Sequence, residues 1–248
     1  MGSPFETTHE ISVDATPEQV WQAIATGPGV DSWFMGSNEI EPRLGGTTRM
    51  AVGDMFTVES TVTAWDPPHH YAHQSEKDVD GSFMAFEFLV EGRGQAGTVV
   101  RLVHSGFLGG DDWESEYEAL RKGNPMYLRT LGQYLTYFPG RIAVPVTAWA
   151  PPQPDEPTVW DGLRRGLGLS GEVAEGDPVR LTIDGSTVDG VVDSVLYPSF
   201  LGVRTDDALL RFVGRNGMVG VGHHLFAAGV DRAAAESSWR AWLTALYA

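Results

Sequence analysis

The stretch TPEQVWQAIATGPGVDSWF, residues 16–34, decides how the whole chain is read. Thr16 offers a hydroxyl N-cap, Pro17 suits the first helical position, and Gln19 stands where a capping box wants its glutamine. Val20, Trp21, Ile24 and Ala25 then fall on one apolar stripe at helical spacing. GPGVDSWF ends that helix and begins a second short helical turn. A fainter echo, DEPTVWDGLRRGLGL, occupies residues 155–169. Each time Pro or Pro-Thr leads into Val-Trp, so either the echo is an accident or the chain is a duplication.

The surroundings favour duplication. FETTHEISV alternates as a first strand, and MFTVESTVTAW, HHYAHQS, SFMAFEFLVEG and GTVVRLVHSGF follow as strands separated by DPP, DVDG and GRGQAG turns. Helix comes next, interrupted at GNP, where Asn124 and Pro125 suit the cap and first turn of a longer helix. Its Leu128, Leu131, Leu135 and Phe138 repeat on one face. After Pro139-Gly140 the order restarts with RIAVPVTAW as strand and TVWDGLRRGL as helix. Five strands follow: DPVRLTIDG, TVDGVVDSVLYPS, LGVRT, ALLRFVG and GMVGVGHHLFA. A closing helix has Asp231 as its cap and Trp239, Trp242, Leu243 and Leu246 on one face. Val62 answers to Val192, Pro68 to Pro198, and GTVVRLVH from Gly97 to GMVGVGHH from Gly217. The boundary falls near Pro139, giving domains 1–138 and 139–248, with PPQPDEP a loop inside the second copy.

Composition narrows the function classes. The 248 residues carry 33 acidic and 17 basic side chains, a formal charge of -16 that repels nucleic-acid phosphates and anionic membranes. Without cysteine there is no disulfide, thiolate zinc site or cysteine nucleophile. No apolar run reaches bilayer-spanning length, and the start MGSPFETTHE has neither a basic nor an apolar segment. A cytoplasmic protein with no membrane insertion is expected.

One strand, two short helices, an antiparallel meander and a long closing helix resemble the START/Bet v-type helix-grip superfamily (SRPBCC). The residues are more closely similar to its branch of heat-shock ATPase activator homologues. ATPEQVWQAI matches that family's helix opening, DSWF its tryptophan after the second helix, WDPPHHYAH its Asp-Pro-Pro turn, and GTVVRLVHSGF its penultimate motif. The likeness covers residues 1–138. The second half lacks a Trp33 equivalent, keeps only Pro198 of the turn and closes with a shorter helix, as a degenerate copy would. The resemblance implies an α+β fold of two tandem helix-grip domains, each an antiparallel sheet wrapped around a C-terminal helix. It also implies a pocket between sheet and helix for an apolar or amphipathic small molecule; no cofactor is expected. Double-copy forms resemble proteins of bacterial polyketide pathways, including enediyne pathways.

Strand alternation assigns the faces. Met84, Phe86, Phe88 and Val90 share one face and Glu87 and Glu91 the other, so the apolar four point toward the helix. Phe56, Val58 and Val62 point in likewise. Arg101 marks an outer face, which turns Val100, Leu102 and His104 inward. In the second copy the same reasoning puts Gly220, Gly222 and His224 inward, the glycines leaving room for a ligand or for a closely packed neighbour. Trp33 joins this wall from the second helix, and Trp113, Tyr127, Leu131, Tyr134 and Trp239 join it from the closing helices, where aromatic stripes also serve as plain core. His104 and His224 are the catalytic candidates, as general bases or ligand-orienting groups, against the alternative of core histidines bonded to the backbone. His69, Tyr71 and His73 share a strand face, but spacing supplies neither a third metal ligand nor a second shell, so no metal site is assigned.

Three functions compete. One is a non-catalytic binder of an elongated apolar metabolite, a polyketide or polyene intermediate, in a cavity that the two copies could share. The second is a polyketide cyclase or aromatase that uses an inward histidine. The third, a co-chaperone, ranks last because the chain leaves no room for a further chaperone-binding domain.

Overall fold

The computed structural model describes residues 2–110, 113–153, 157–196, 199–215 and 217–247. They form two compact units, residues 1–142 and 143–248. Both are α+β, each with one antiparallel sheet and a helix at its C-terminal end.

The first unit runs β1 (Ser3–Val13), α1 (Pro17–Ile24), α2 (Gly27–Val30), β2 (Ser37–Ile40), β3 (Thr47–Val52), β4 (Phe56–Asp66), β5 (His70–Ser75), β6 (Phe83–Gly92), β7 (Thr98–Leu108) and α3 (Trp113–Tyr137). Its seven strands lie in the order β1-β7-β6-β5-β4-β3-β2, so the first strand pairs with the last. The capping box at α1 is complete: Thr16 Oγ1 accepts from the Gln19 N–H, and Gln19 Oε1 accepts from the Thr16 N–H at 2.8 Å. Val20, Trp21 and Ile24 are buried, as the apolar stripe requires.

The second unit runs β8 (Val144–Trp149), α4 (Pro157–Gly166), β9 (Pro178–Ile183), β10 (Ser186–Leu196), β11 (Phe200–Arg204), β12 (Ala208–Arg215), β13 (Met218–Leu225) and α5 (Arg232–Leu246). Its six strands follow the same plan, β8-β13-β12-β11-β10-β9. Asp231 caps α5 by accepting from the Ala234 N–H at 3.1 Å. Pro198 and residues 154–156 of the Pro-rich loop lie outside the described residues.

The repeat extends to an irregularity. β4 slips its pairing with β5 between Val62 and Ala64, and β10 slips against β11 between Val192 and Ser194. A bulge at corresponding places in two sheets is a specific landmark, because it bends the strand and resets which side chains face inward.

Three sequence expectations need correction. β2 and β3 were not foreseen, since SNEI and TTRMAV lack apolar alternation. α3 is not interrupted at GNP; it continues through Pro125 as one helix. Proline there removes one N–H and leaves the Arg121 carbonyl without a helical donor. The interior position instead turns Asn124 into a buried side chain.

The third concerns the inner face of β13. Leu209 pairs with His224 and Phe212 with Val221, which sets Leu210 opposite His223. Val219 and Val221 are buried in the core with Leu163 of α4 and Leu243 of α5, and the His223 ring lies 4.3 Å from Trp239 of α5. Val219, Val221 and His223 therefore face the helices, while Gly220, Gly222 and His224 face away. Gly97 and Gly217 are not equivalent positions, since His104 follows the first by seven residues and its counterpart His223 follows the second by six. A slip of one residue exchanges the two faces of a strand.

Candidate functional site

A line of inner-face residues crosses the first sheet in register. Val62 pairs with His73, His73 with Phe86, Phe86 with His104, and His104 with Thr7. The rings stack along the line: His73 on Phe86 at 5.3 Å and Phe86 on His104 at 3.9 Å. The corresponding line in the second unit is Val192, Val203, Leu210, His223 and Val146. His104 thus has His223 as its counterpart, and the chemistry between the two ends differs.

The aromatic line continues beyond the sheet. Phe34, just beyond α2, lies 6.5 Å from Phe86 and 4.5 Å from Tyr127 of α3. Below it, Trp33 is packed against Phe34 and Phe88, with its indole N–H donating to the Ala23 carbonyl at 2.9 Å.

α3 packs chiefly over β1, with less contact to β7. The inner face of the strands farther across the sheet is consequently less covered. His73, Met84, Phe86, Phe34 and Tyr127 are only half-buried. At the far end of β4, Val58 is 37% and Phe56 45% exposed on the face that holds Val62. Large apolar side chains left partly open along one line of the inner face offer a surface, called the groove below, suited to an apolar molecule.

His104 supplies the polar feature. It is 1% exposed, and its Nδ1 lies 3.2 Å from Asn124 Oδ1. The Asn124 amide nitrogen donates to Thr7 Oγ1 at 2.9 Å, and Thr7 Oγ1 donates to the His104 carbonyl. The Asn124 amide nitrogen also lies 3.1 Å from His104 Nδ1, so Asn124 accepts from an Nδ1–H or donates its second hydrogen to a bare Nδ1, and Nε2 is correspondingly an acceptor or a donor. That Nε2 is buried without a partner, as are His73 Nδ1 and His9 Nε2. Burial pushes His104 down to about 4 against the opposing Asn124 bond, and pushes His73 down to about 4 with help from His104. Burial also lowers His9. At neutral pH all three rings are uncharged, so the groove offers aromatic surface and neutral polar atoms.

Of the sequence candidates, Met84, Phe86, His104 and Tyr127 come together along this line, while Phe56 shares the face at the far end of β4. Phe88, Leu102, Leu131, Tyr134 and Trp33 are packed core beneath or beside it. The Tyr134 hydroxyl donates to the Arg141 carbonyl at 3.0 Å. Trp113 opens α3 and is half-buried. Gly220, Gly222, His224 and Trp239 belong to the second unit; a Cβ on Gly220 would come within 2.5 Å of the Trp149 ring, whereas Gly222 faces open space. His70, on the outer face, pairs with Glu87 at 2.7 Å. Among the described residues, no group of three or more His, Asp or Glu is placed to hold a metal, and no helix is long and apolar enough to cross a membrane. Phe34, His73, Asn124 and Thr7 were missed as site residues. Phe34 sits in the DSWF motif already singled out, and GNP held Asn124 in view as a cap.

A sheet whose first and last strands pair, closed by a C-terminal helix with a groove beside it, defines a helix-grip domain. Residues 14–136 match the family model of Activator of Hsp90 ATPase homolog 1-like protein, so the first unit is similar to that family. No curated protein matches the chain. Among solved structures, a protein from Mesorhizobium loti is 20% identical, covering 54% of this chain and 98% of its own at a TM-score of 0.48. The Aha1 dimer from Colwellia psychrerythraea is 22% identical, covering 53% of this chain and 96% of its own at 0.43. The di-domain ARO/CYC BexL from the BE-7585A biosynthetic pathway is 17% identical, covering 96% of this chain and 93% of its own at 0.48.

Proposed function

We propose that the groove of the first unit binds an elongated apolar small molecule, a polyketide or polyene intermediate of secondary metabolism. The observation that carries this reading is the stacked line His73–Phe86–His104, half-open at His73 and Phe86 and flanked by Phe34 and Tyr127. Flat rings along the wall suit conjugated or aromatic ligands, which gain from offset and edge-on ring contacts. The unpartnered His104 Nε2 suits a hydroxyl or a carbonyl on such a ligand, according to the ring's tautomer, since a buried polar atom gains most from a partner that replaces water. Native mass spectrometry of the chain isolated from its producing host tests the reading. A copurified lipophilic compound, absent from the Phe86→Ala variant, supports it; wild-type protein carrying none contradicts it.

A second reading, polyketide cyclisation or aromatisation, is favoured by the same Nε2, which serves as general base in the Nδ1–H tautomer. Its strength argues against it. A base held at about 4 is far from the neutral range where general bases work best. His104→Gln separates the two: a binder keeps most of its affinity, whereas a cyclase loses turnover.

A further inference from the structure

The second unit has an opening of its own. α5 packs mainly over β8, and a cleft of about 300 Å³ remains beside it on the inner face of the farther strands. That is the lower end of small-molecule sites, which span roughly 300–1,000 Å³. Its wall is apolar: Ile183, Val188, Ala208 and Leu210, with the indoles of Trp239 and Trp242 set edge to face at 5.5 Å. Leu210 stands where Phe86 stands in the first unit, so this cleft is the positional counterpart of the groove.

Its rim is chemically different. Asp184 and Asp207 border it, and among the described residues that line it there is no lysine, arginine or histidine. Both carboxylates are exposed at sharp turns. Asp184 has a φ of 49° at the β9–β10 hairpin, followed by Gly185 at 74°, the backbone of a tight two-residue turn. Asp207 Oδ1 accepts from Thr205 Oγ1 at 3.2 Å, in a turn where the Thr205 N–H donates to the Ala208 carbonyl. Two negative charges are thus fixed at the mouth of a cleft with two indole walls.

We propose that this cleft binds an amphipathic organic cation, a small molecule with a compact aromatic or alicyclic body and a protonated or quaternary amine. The body would displace water from Leu210 and Val188. The ammonium would lie against indole faces, which attract cations through the ring quadrupole, and toward the two carboxylates. Anions are repelled by the rim and by the chain's charge of -16. This site is distinct in unit, residues and ligand charge from the groove of the first unit.

Calorimetric titration of the full chain with benzyltrimethylammonium, benzyl alcohol and phenylacetate tests it, with the indole N–H resonances of Trp239 and Trp242 assigned through Trp239→Phe and Trp242→Phe. The cation should bind at least about tenfold more tightly than the neutral alcohol, shift both indoles, and weaken in high salt. Asp184→Asn with Asp207→Asn, both exposed positions, should erase that preference, bringing the cation's affinity to that of the alcohol in the same variant. Equal affinities for the three probes, cation binding that survives the double substitution, or shifts confined to other tryptophans would overturn the proposal.

Discussion

His104 and Asn124 meet across the interface between β7 and the buried face of α3, ring nitrogen to amide oxygen at 3.2 Å. The pair joins sheet to helix at one end of the stacked line of rings. Asn124→Ala leaves His104 Nδ1 and Thr7 Oγ1 without this partner in a buried setting. It should lower stability by about 1–3 kcal/mol, measured by equilibrium urea unfolding. A loss below about 0.5 kcal/mol would show that the contact contributes little.

The same burial makes stability depend on pH. In an unfolded chain each imidazole takes up its proton near 6.5, whereas folded His104 and His73 do so only near 4. Between those values the unfolded state holds more protons. Stability is therefore fully present above pH 6.5 and falls as pH drops toward 4. For His104 alone the loss amounts to about 3 kcal/mol. Urea midpoints measured from neutral pH downward should decline over that window, and His104→Gln should flatten the decline.

Much of the first unit was legible because its signals are local. The Thr16–Gln19 box, the Val20–Trp21–Ile24 stripe and the alternation around Phe86 each fix a local structure that tertiary packing then keeps. Asn124 was misread because Asn-Pro is a strong start signal for a helix, and only the packing of α3 against β7 reveals that the helix runs on. His223 was passed over for His224 because register is a pairing property: turn glycines look alike in sequence while the turns differ in length. The openness of the groove was not legible either, since alternation says which face a side chain takes and nothing about what covers it. Phe56 and Val58 face inward as expected, yet remain exposed.

That register yields its own test. Gly222 faces open space, so Gly222→Ala should leave stability within about 0.5 kcal/mol of wild type. Gly220 lies against the Trp149 ring, and Gly220→Ala should cost about 1–3 kcal/mol. Thermal unfolding of the two variants would show the difference; equal behaviour would contradict the assigned faces.

Asp193, at the bulge of β10, forms an ion pair with Arg211 at 3.0 Å, both side chains at most 5% exposed. Breaking such a pair strands a buried charge, so Asp193→Ala should destabilise by about 3–5 kcal/mol. Replacing both together, Asp193→Leu with Arg211→Met, should cost much less than the sum of the singles, as a double-mutant cycle in urea would reveal.

Met84 lines the groove beside Phe86, which makes its methyl group the most direct witness of whether the groove takes up a flat, hydroxyl-bearing apolar molecule. Following the methionine methyl resonances during titration with 1-naphthol, the account predicts a saturating shift at Met84 while Met218, exposed in the second unit, stays in place. A Met84 resonance that does not move up to the solubility limit, or one that moves no more than Met218, would contradict it.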